Sequence, residues 1–409
     1  MERVSGNKLN ISDPVVYIVL AISGINFRLW GIYILGVLAV VYIAFNHRFI
    51  ATKALIPISL VGVVYALSLV NVGGDLADII KALLYPVIWL FGYIFLADGS
   101  FERLMKALTF IAYGMALHGI LNLLYNLTVG NNYKTGKAYD FFTHTIVSVT
   151  GQTTNFTLIV ALVFWLVFIQ RNVILRITSA VLYLVAFYYD VSIGGRTFLI
   201  MSLFSLVFST ALYLFIFLRY KDSFKRGLFL LFVLTAIFVF IIVAYDHNWF
   251  SIRSVFNSTY LNTRMERGSN VIQDERFYQK TAYIEHMREF LWGGHQLSMT
   301  YGLTYAHDIW LDIYDEAGIL TFIALLFYSL CSIVRFFRVA FSKAFEPQYR
   351  IVLANLIIIL MAQFFVEPIL KSVPILFFCF IAIDGMVCAC LLQSGSSLQS
   401  RRIVIDPVC

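Results

Sequence analysis

The chain has 409 residues, of which 60% are hydrophobic and only 13% are charged. A soluble globular protein carries about 25% charged residues, so this composition excludes a soluble enzyme, a disordered protein and a secreted disulfide scaffold. In a membrane protein, the net charge of +7 indicates Lys and Arg in cytoplasmic loops before it suggests nucleic acid as a partner. We therefore expect an all-α polytopic membrane protein, with residues 1–409 forming a single integral membrane domain.

The predicted membrane spans come first in chain order. A helix needs about 20 apolar residues to cross the bilayer, and the sequence offers twelve candidate stretches. The first two are short and could form one tilted helix with a break near residues 26–28. The candidates are 15–27, 29–45, 54–70, 79–96, 104–127, 146–169, 173–189, 198–218, 228–245, 318–334, 351–366 and 375–392.

The distribution of basic residues predicts the orientation of these spans. With twelve spans, one side of the membrane receives both termini and the loops that carry most of the Lys and Arg residues. Cytoplasmic loops are enriched in Lys and Arg, so both termini are expected in the cytoplasm. Eleven spans would disrupt this alternation early in the chain, and twelve are therefore favoured.

One long loop is expected on the outer side, at residues 246–307 between the ninth and tenth spans. It holds equal numbers of basic and acidic residues and most of the histidines. Within it, stretch 275–292 places Phe277, Ile284, Met287 and Leu291 near one helical face, which predicts an amphipathic helix lying on the membrane or on the helix bundle. A second outer loop, residues 130–145, is shorter and polar.

Arg196 lies in a very short predicted outer turn that contains Gly194 and Gly195. Two glycines free the backbone to turn tightly and let a ligand approach, and an arginine at the membrane surface can bind a phosphate with two hydrogen bonds. The alternative is an arginine that snorkels at a helix end.

The long loop adds further arginines, namely Arg264, Arg267, Arg276 and Arg288. A single exposed arginine is more often a solvated charge or an ion-pair partner. The run from Asp274 to Arg276 is consistent with a local salt-bridged turn, so these residues alone do not define a site.

His307 begins the run that leads from the long loop into the tenth span. A neutral imidazole at this interface can act as a general base on a hydroxyl, although a lone interface histidine is more often structural. Asp308, Asp312 and Asp315 follow on one helical face. They could orient His307, hold a divalent cation or form a wet helix cap, and the helix dipole makes the cap the default.

Few polar groups are expected to be buried within the spans: Lys81, Asp190 near an end, and Asp384. Charges inside a membrane are costly and therefore suggest function. A proton-driven or ion-driven carrier would usually show more of them.

The topology and several motifs resemble the bacterial O-antigen polymerase and O-antigen ligase superfamily. The ligase motif is His, then Asn, Ser or Gln, nine residues, Gly, two residues, and then Gly, Thr or Tyr. His307, Gly318 and Thr321 stand at those spacings, whereas Asp308 replaces Asn, Ser or Gln. The short outer loop of the family carries an arginine at the position of Arg196, and Arg276 followed by Trp292-Gly293-Gly294 resembles a further family element.

This resemblance implies a GT-C-like membrane glycosyltransferase that acts without a metal or other cofactor and inverts the anomeric centre. Its donor would be a glycan on undecaprenyl pyrophosphate at the outer face of the bacterial cytoplasmic (inner) membrane, and a chain-length regulator is a candidate partner. His307 would be the base, and Arg196 and Arg276 would bind the pyrophosphate. Further candidates for substrate binding are Arg264, Arg288 and Asp308.

Three functions remain open. A polymerase joins lipid-linked repeat units, and the Asp308 departure and the rather short loop favour it over an O-antigen ligase, which transfers the glycan to lipid A-core. The competing class is a polysaccharide flippase, which would not need the long outer loop with its Arg and His residues.

Overall fold

The computed structural model describes residues 11–46, 52–97, 100–129, 137–217, 242–257 and 275–403, together with isolated residues between 228 and 262. Five helices open the chain: α1 to α5 are Asp13–Ile25, Gly31–Asn46, Ile56–Asn71, Leu76–Leu96 and Phe101–Val129. An antiparallel hairpin follows, in which β1 is Lys137–Tyr139 and β2 is Ile146–Ser148.

The remaining elements are helical. Helices α6 to α9 are Val149–Thr153, Thr157–Val163, Val173–Ile193 and Arg196–Phe217, and α7 continues into the π-helical turn Phe164–Ile169. Helices α10 to α13 are Ile252–Asn257, Glu275–His286, Gln296–Tyr301 and Ile309–Ala317. Helices α14 to α17 are Ile319–Phe341, Pro347–Val366, Ile369–Ser372 and Pro374–Ile403.

The chain is an all-α multi-pass membrane protein, as its composition predicts. Among the described residues, 9 helices are long and apolar enough to cross a bilayer, and the shorter apolar helices α1 and α2 precede them. Helices suit these stretches because a bilayer offers no water to bind the backbone N–H and C=O groups. The predicted ninth span, 228–245, is described only in part, and residues 258, 260 and 263–274 of the predicted long loop lie outside the described residues.

Helices α1 and α2 are separate, and the chain breaks where the sequence suggests. Asn26 takes a left-handed conformation with φ 52°, and its side-chain oxygen accepts a hydrogen bond from the Gly31 N–H at 3.2 Å. Arg28 also has a positive φ of 46°. This local geometry excludes one continuous tilted helix.

The chain divides into two compact units. The first comprises residues 1–115, 279–344 and 368–409, and the second comprises 116–278 and 345–367. In the first unit, α4 and α17 pack backbone to backbone, because a Cβ on Gly92 would lie 2.0 Å from the Ala382 carbonyl oxygen. Such close contacts through small residues are typical of membrane helix pairs.

A buried ion pair lies in the first unit, and it includes one of the charges that the sequence places inside a span. Asp384 on α17 accepts hydrogen bonds from Arg335 on α14, at 2.9 Å from Nε, and from the Trp89 indole on α4, at 2.8 Å. Lys81 differs from the expectation, because its side chain is 30% exposed and pairs with Asp78 at 2.6 Å.

The second unit is held together by polar contacts of α15. Asn355 donates to the Ala161 carbonyl and to the Ser205 hydroxyl, both at 2.7 Å, and Gln363 donates to Thr154 at 2.8 Å. Amide side chains that bond across helices replace contacts with water that the membrane does not offer. They fix α15, the irregular α6–α7 region and α9 in one arrangement.

A helix covers most of the predicted amphipathic stretch, and of the four residues on its predicted face Met287 packs against a buried cluster. It ends at His286, and Phe277, Ile284 and Leu291 are exposed. Tyr283 is buried instead, in a cluster whose other buried members are Leu297, Ala306, Leu311 and Tyr314. Partners that are distant in sequence therefore select the buried face.

Candidate functional site

His307 lies in a constrained turn immediately before α13. It is half-buried and has a positive φ of 54°, and its ring meets the Tyr305 ring edge-on at 6.2 Å. Asp308 is the N-cap residue, and its Oδ1 accepts hydrogen bonds from Trp310 N at 3.0 Å and Leu311 N at 3.2 Å. Asp308 is therefore a helix cap, as expected by default, and the cap fixes the chain next to the imidazole.

Asp308 is also an ion-pair partner. The Lys280 ammonium on α11 lies 3.6 Å from Asp308 Oδ2, and the carboxylate is buried. Burial raises the pKa of Asp308, and the opposing charge of Lys280 only partly offsets this effect. The ion pair joins α11 to the start of α13. The capping residue is therefore buried, in contrast to the solvated cap that the sequence suggests.

Asp312 supports His307 from within the helix. Its Oδ1 accepts a hydrogen bond from Ala306 N at 2.9 Å, while its buried Oδ2 accepts none from any residue that the structure describes. Burial raises the pKa of Asp312 to about 7, against the smaller opposing effects of the Ala306 N–H and the Lys371 charge. Asp312 thus holds the residue preceding His307 and is a group that titrates near neutral pH.

Asp315 closes the other end of α13. Its carboxylate accepts hydrogen bonds from Ser298 N at 3.1 Å and the Ser298 hydroxyl at 2.8 Å, and it pairs with His295 Nδ1 at 2.8 Å. Burial alone would raise the pKa of Asp315, but the hydrogen bonds from His295 and Ser298 outweigh it and leave the pKa below its ordinary value. The three aspartates therefore make separate contacts.

The two motif segments in this region meet through their backbones. Gly294 N donates to the Glu316 carbonyl at 2.9 Å, and Ile319 N donates to the Leu291 carbonyl at 2.9 Å. Gly293 and Gly318 have φ of 77° and 84°, and a Cβ on Gly293 would lie 2.5 Å from the Gly318 nitrogen. Both positions require glycine, because φ is positive and because a Cβ would collide with the neighbouring backbone. The close approach brings the Trp292-Gly293-Gly294 segment against the end of α13.

Arg276 belongs to the second unit, where it neutralises a buried acid. Its Nη1 donates to Glu367 Oε1 at 3.1 Å and to the Val366 carbonyl at 3.2 Å. Glu367 is completely buried, whereas the Arg276 side chain is 26% exposed. This ion pair joins residues that are 91 positions apart, and Asp274 of the predicted local turn lies outside the described residues.

Arg196 begins α9 after the short turn that the sequence predicts. Gly194, with φ 80°, and Gly195 both donate their N–H groups to the Asp190 carbonyl at 2.9 Å. A Cβ on Gly195 would lie 1.8 Å from Asp190 Oδ1, so the glycine makes room for this buried carboxylate. The turn places Arg196, which is half-buried, at a helix N-terminus.

The remaining candidates are less informative. Arg288 is exposed in the turn after α11, in the first unit with His307 and Asp308. Arg264 lies outside the described residues. Among the described residues, no group of three or more His, Cys, Asp or Glu side chains is placed to hold a metal ion.

Several polar contacts in the second unit were missed by the sequence interpretation. His118, Asn122 and Asn126 form one face of α5 at intervals of four residues and hold the hairpin region, where His118 Nε2 lies 2.6 Å from Asp140 Oδ2. Burial would raise the pKa of Asp140, but His118 and Thr143 lower it to about 2. The four-residue interval could have revealed this face, whereas Lys280 and Glu367 gave no comparable signal.

No family model matches the sequence, and no curated protein is measurably similar to it.

Proposed function

We propose that the chain is a membrane glycosyltransferase, a polymerase of O-antigen, capsule or exopolysaccharide repeat units carried on undecaprenyl pyrophosphate. The observation that supports it is the backbone contact between Gly293 and Gly318. Two of the segments that carry the family resemblance, Trp292-Gly293-Gly294 and the run from His307 to Thr321, are therefore in direct contact. Twelve spans, cytoplasmic termini and a location in the bacterial inner membrane are parts of the same proposal.

In this reaction an acceptor sugar hydroxyl attacks the anomeric carbon of the donor glycan. His307 takes the hydroxyl proton as the new C–O bond forms. The bond from the anomeric carbon to the pyrophosphate breaks with inversion, and the leaving group carries away the electron pair. Arg196 and Arg276 stabilise its growing negative charge. These roles follow from the resemblance and from the chemistry of the side chains.

The second candidate is an O-antigen ligase, which performs the same transfer onto lipid A-core. Asp308 stands where the ligase motif has Asn, Ser or Gln, and it is an N-cap paired with Lys280. A charged, buried residue at this position differs from the neutral polar residue of the ligase motif, and this difference favours the polymerase.

The third candidate is a polysaccharide flippase. Carriers often place charged groups along a pathway through the membrane. Here Arg335 and Asp384 satisfy each other, and Asp384 also accepts from Trp89, which is a packing role. This observation favours a glycosyltransferase over a transporter.

The first experiment is an electrophoretic profile of surface polysaccharide from a deletion strain of the source organism. A single repeat unit on its anchor is the result expected for a polymerase. Full-length chains that stay on the lipid carrier would identify a ligase, and unpolymerised repeats held on the cytoplasmic face would identify a flippase.

The second experiment tests the residues in the complemented strain. His307→Ala and Arg196→Ala should abolish glycan joining while immunoblots show unchanged membrane levels. His247→Ala and Arg253→Ala are matched controls, since both residues are exposed elsewhere in the outer segment. Full activity of His307→Ala and Arg196→Ala would contradict the proposed catalytic roles.

Arg276 needs a separate design, because its loss leaves Glu367 as a buried charge. The double variant Arg276→Gln/Glu367→Gln removes both charges and keeps groups that can bond to each other. Normal protein levels without glycan joining are expected if Arg276 contacts the substrate. Restored joining in the double variant would assign Arg276 a purely structural role.

A further inference from the structure

An exposed aromatic ring lies beside His307 in the first unit, and an exposed cation lies over that ring. The Tyr305 ring is 41% exposed and lies 6.2 Å from the His307 ring. The Lys371 ammonium, from the short helix α16, lies 5.4 Å from the centre of the same Tyr305 ring. The proposed function uses neither Tyr305 nor Lys371.

The backbone around Tyr305 is fixed without help from its ring. Gln279 Oε1 accepts hydrogen bonds from Tyr305 N at 3.2 Å and from the Thr304 hydroxyl at 3.1 Å. Asp312 holds Ala306 from the other side. These hydrogen bonds hold the backbone of residues 304–306 and so restrict the position of the Tyr305 ring. A group that is already in position binds a ligand at a lower entropic cost.

The acids near Lys371 are buried or half-buried, and one of them has a counter-charge of its own. Asp308 pairs with Lys280, and burial raises the pKa of Asp312 to about 7. Burial also raises the pKa of the half-buried Glu316, with Lys371 opposing it. Lys371 itself is exposed, so an incoming anion meets a cation at the surface while the neighbouring carboxyl groups repel it weakly.

We propose that Tyr305 and Lys371 form a subsite for an acceptor sugar that carries an anionic substituent, a carboxylate or a phosphate. The pyranose ring stacks on the face of the Tyr305 ring and displaces the Lys371 ammonium that lies over it, because the negative aromatic face attracts polarised C–H groups. The flexible lysine stem lets the ammonium follow the anion. This inference rests on the proposed function only in that the bound sugar presents its hydroxyl to His307.

The test is direct binding to the purified full-length chain in lipid nanodiscs. The probes are glucuronate, glucose 6-phosphate and glucose, measured by ligand-observed saturation-transfer NMR. The wild-type protein should bind at least one anionic sugar about tenfold more tightly than glucose, because a hydrogen bond to a charged group is among the stronger ones. A preference for glucuronate indicates a carboxylate, and a preference for glucose 6-phosphate indicates a phosphate.

The variants then assign the residues. Lys371→Gln should abolish the preference for the anionic sugar, and Tyr305→Ala should weaken binding of all three probes. Lys343→Gln is the matched control, since Lys343 is an exposed lysine just beyond the far end of α14. The subsite is overturned if the wild-type protein does not discriminate, or if Lys371→Gln still does.

Binding and glycan joining are separate readouts. If the subsite is wrong, the Lys371→Gln variant binds like the wild type while His307→Ala still abolishes joining. If the proposed function is wrong, His307→Ala leaves the glycan profile unchanged and the preference for anionic sugars can still be measured.

Discussion

At the scale of single residues, His307 is held in an unfavourable backbone conformation by contacts on both sides. A left-handed conformation costs a non-glycine residue about 1–2 kcal/mol. Asp312 bonds to Ala306 before it, and Asp308 caps α13 after it. Residues kept in rare conformations concentrate at functional sites, and here two buried acids position the imidazole.

Asp312 should make the stability of the protein depend on pH. Its pKa is raised from 3.8 to about 7, so the folded state favours the protonated carboxyl group. The resulting stabilisation is complete below pH about 4 and is lost as the pH rises through about 7. Scanning fluorimetry in nanodiscs should therefore show a wild-type Tm that falls between pH 5 and pH 8.

Asp312→Asn isolates this effect, since the other titratable groups that face Asp312, namely Asp308, Lys371 and Tyr283, remain. The amide oxygen can still accept from Ala306 N, and the pH dependence of Tm should flatten. Asp312→Ala also loses that hydrogen bond and should be less stable than Asp312→Asn by about 1 kcal/mol at every pH. Parallel curves for the wild type and Asp312→Asn would count against the assigned pKa.

At the scale of elements, the junction of α13 and α14 depends on Gly318. Its backbone, with φ 84° and ψ −177°, is open essentially to glycine alone. It also allows Leu291 to approach, because a Cβ here would lie 2.6 Å from the Leu291 carbonyl oxygen. The backbone conformation and the contact with Leu291 therefore explain why position 318 needs glycine, whether or not a ligand binds nearby.

Gly318→Ala should destabilise the protein by more than about 1–3 kcal/mol, since steric displacement of Leu291 adds to the backbone strain. Gly302→Ala is the control, because Gly302 has φ 64° and no described atom lies within 4 Å of the place that a Cβ would take. It should cost only about 1–2 kcal/mol. Thermal unfolding in nanodiscs compares the two, and equal losses would show that the contact with Leu291 is unimportant.

The helices could be predicted because an apolar stretch in a bilayer has few alternatives to helix. Even the break near Asn26 was visible. The buried face of α11 was not, because Tyr283 is buried by residues that come later in the chain, including Leu297 and Tyr314. For the same reason Arg276 could be singled out as a candidate, but its partner Glu367, 91 residues away, could not.

At the scale of the whole molecule, Arg335 and Asp384 tie two spanning helices of the first unit together. Arg335 also donates to Ser332 at 3.0 Å, so the guanidinium has several partners. A buried ion pair often adds little net stability, but its disruption leaves one charge in an apolar environment. The pair therefore specifies which helices meet.

Arg335→Leu alone should destabilise the protein by about 3–5 kcal/mol, because Asp384 then stays buried without its counter-charge. Asp384→Leu should cost a similar amount. The double variant Arg335→Leu/Asp384→Leu should recover most of the loss. Size-exclusion chromatography after heating gives a Tm for each single variant and for the double variant. If the losses of the two single variants add in the double variant, the coupling between Arg335 and Asp384 is contradicted.

The Arg335–Asp384 pair also has a consequence for biosynthesis. The ribosome makes Arg335 49 residues before Asp384, and a charged side chain without its partner is costly within a membrane helix. We expect α14 to stay beside the insertion machinery until α17 has emerged, so that both enter the lipid as a neutral pair. Nascent chains truncated before Asp384 should then remain attached to that machinery or be degraded.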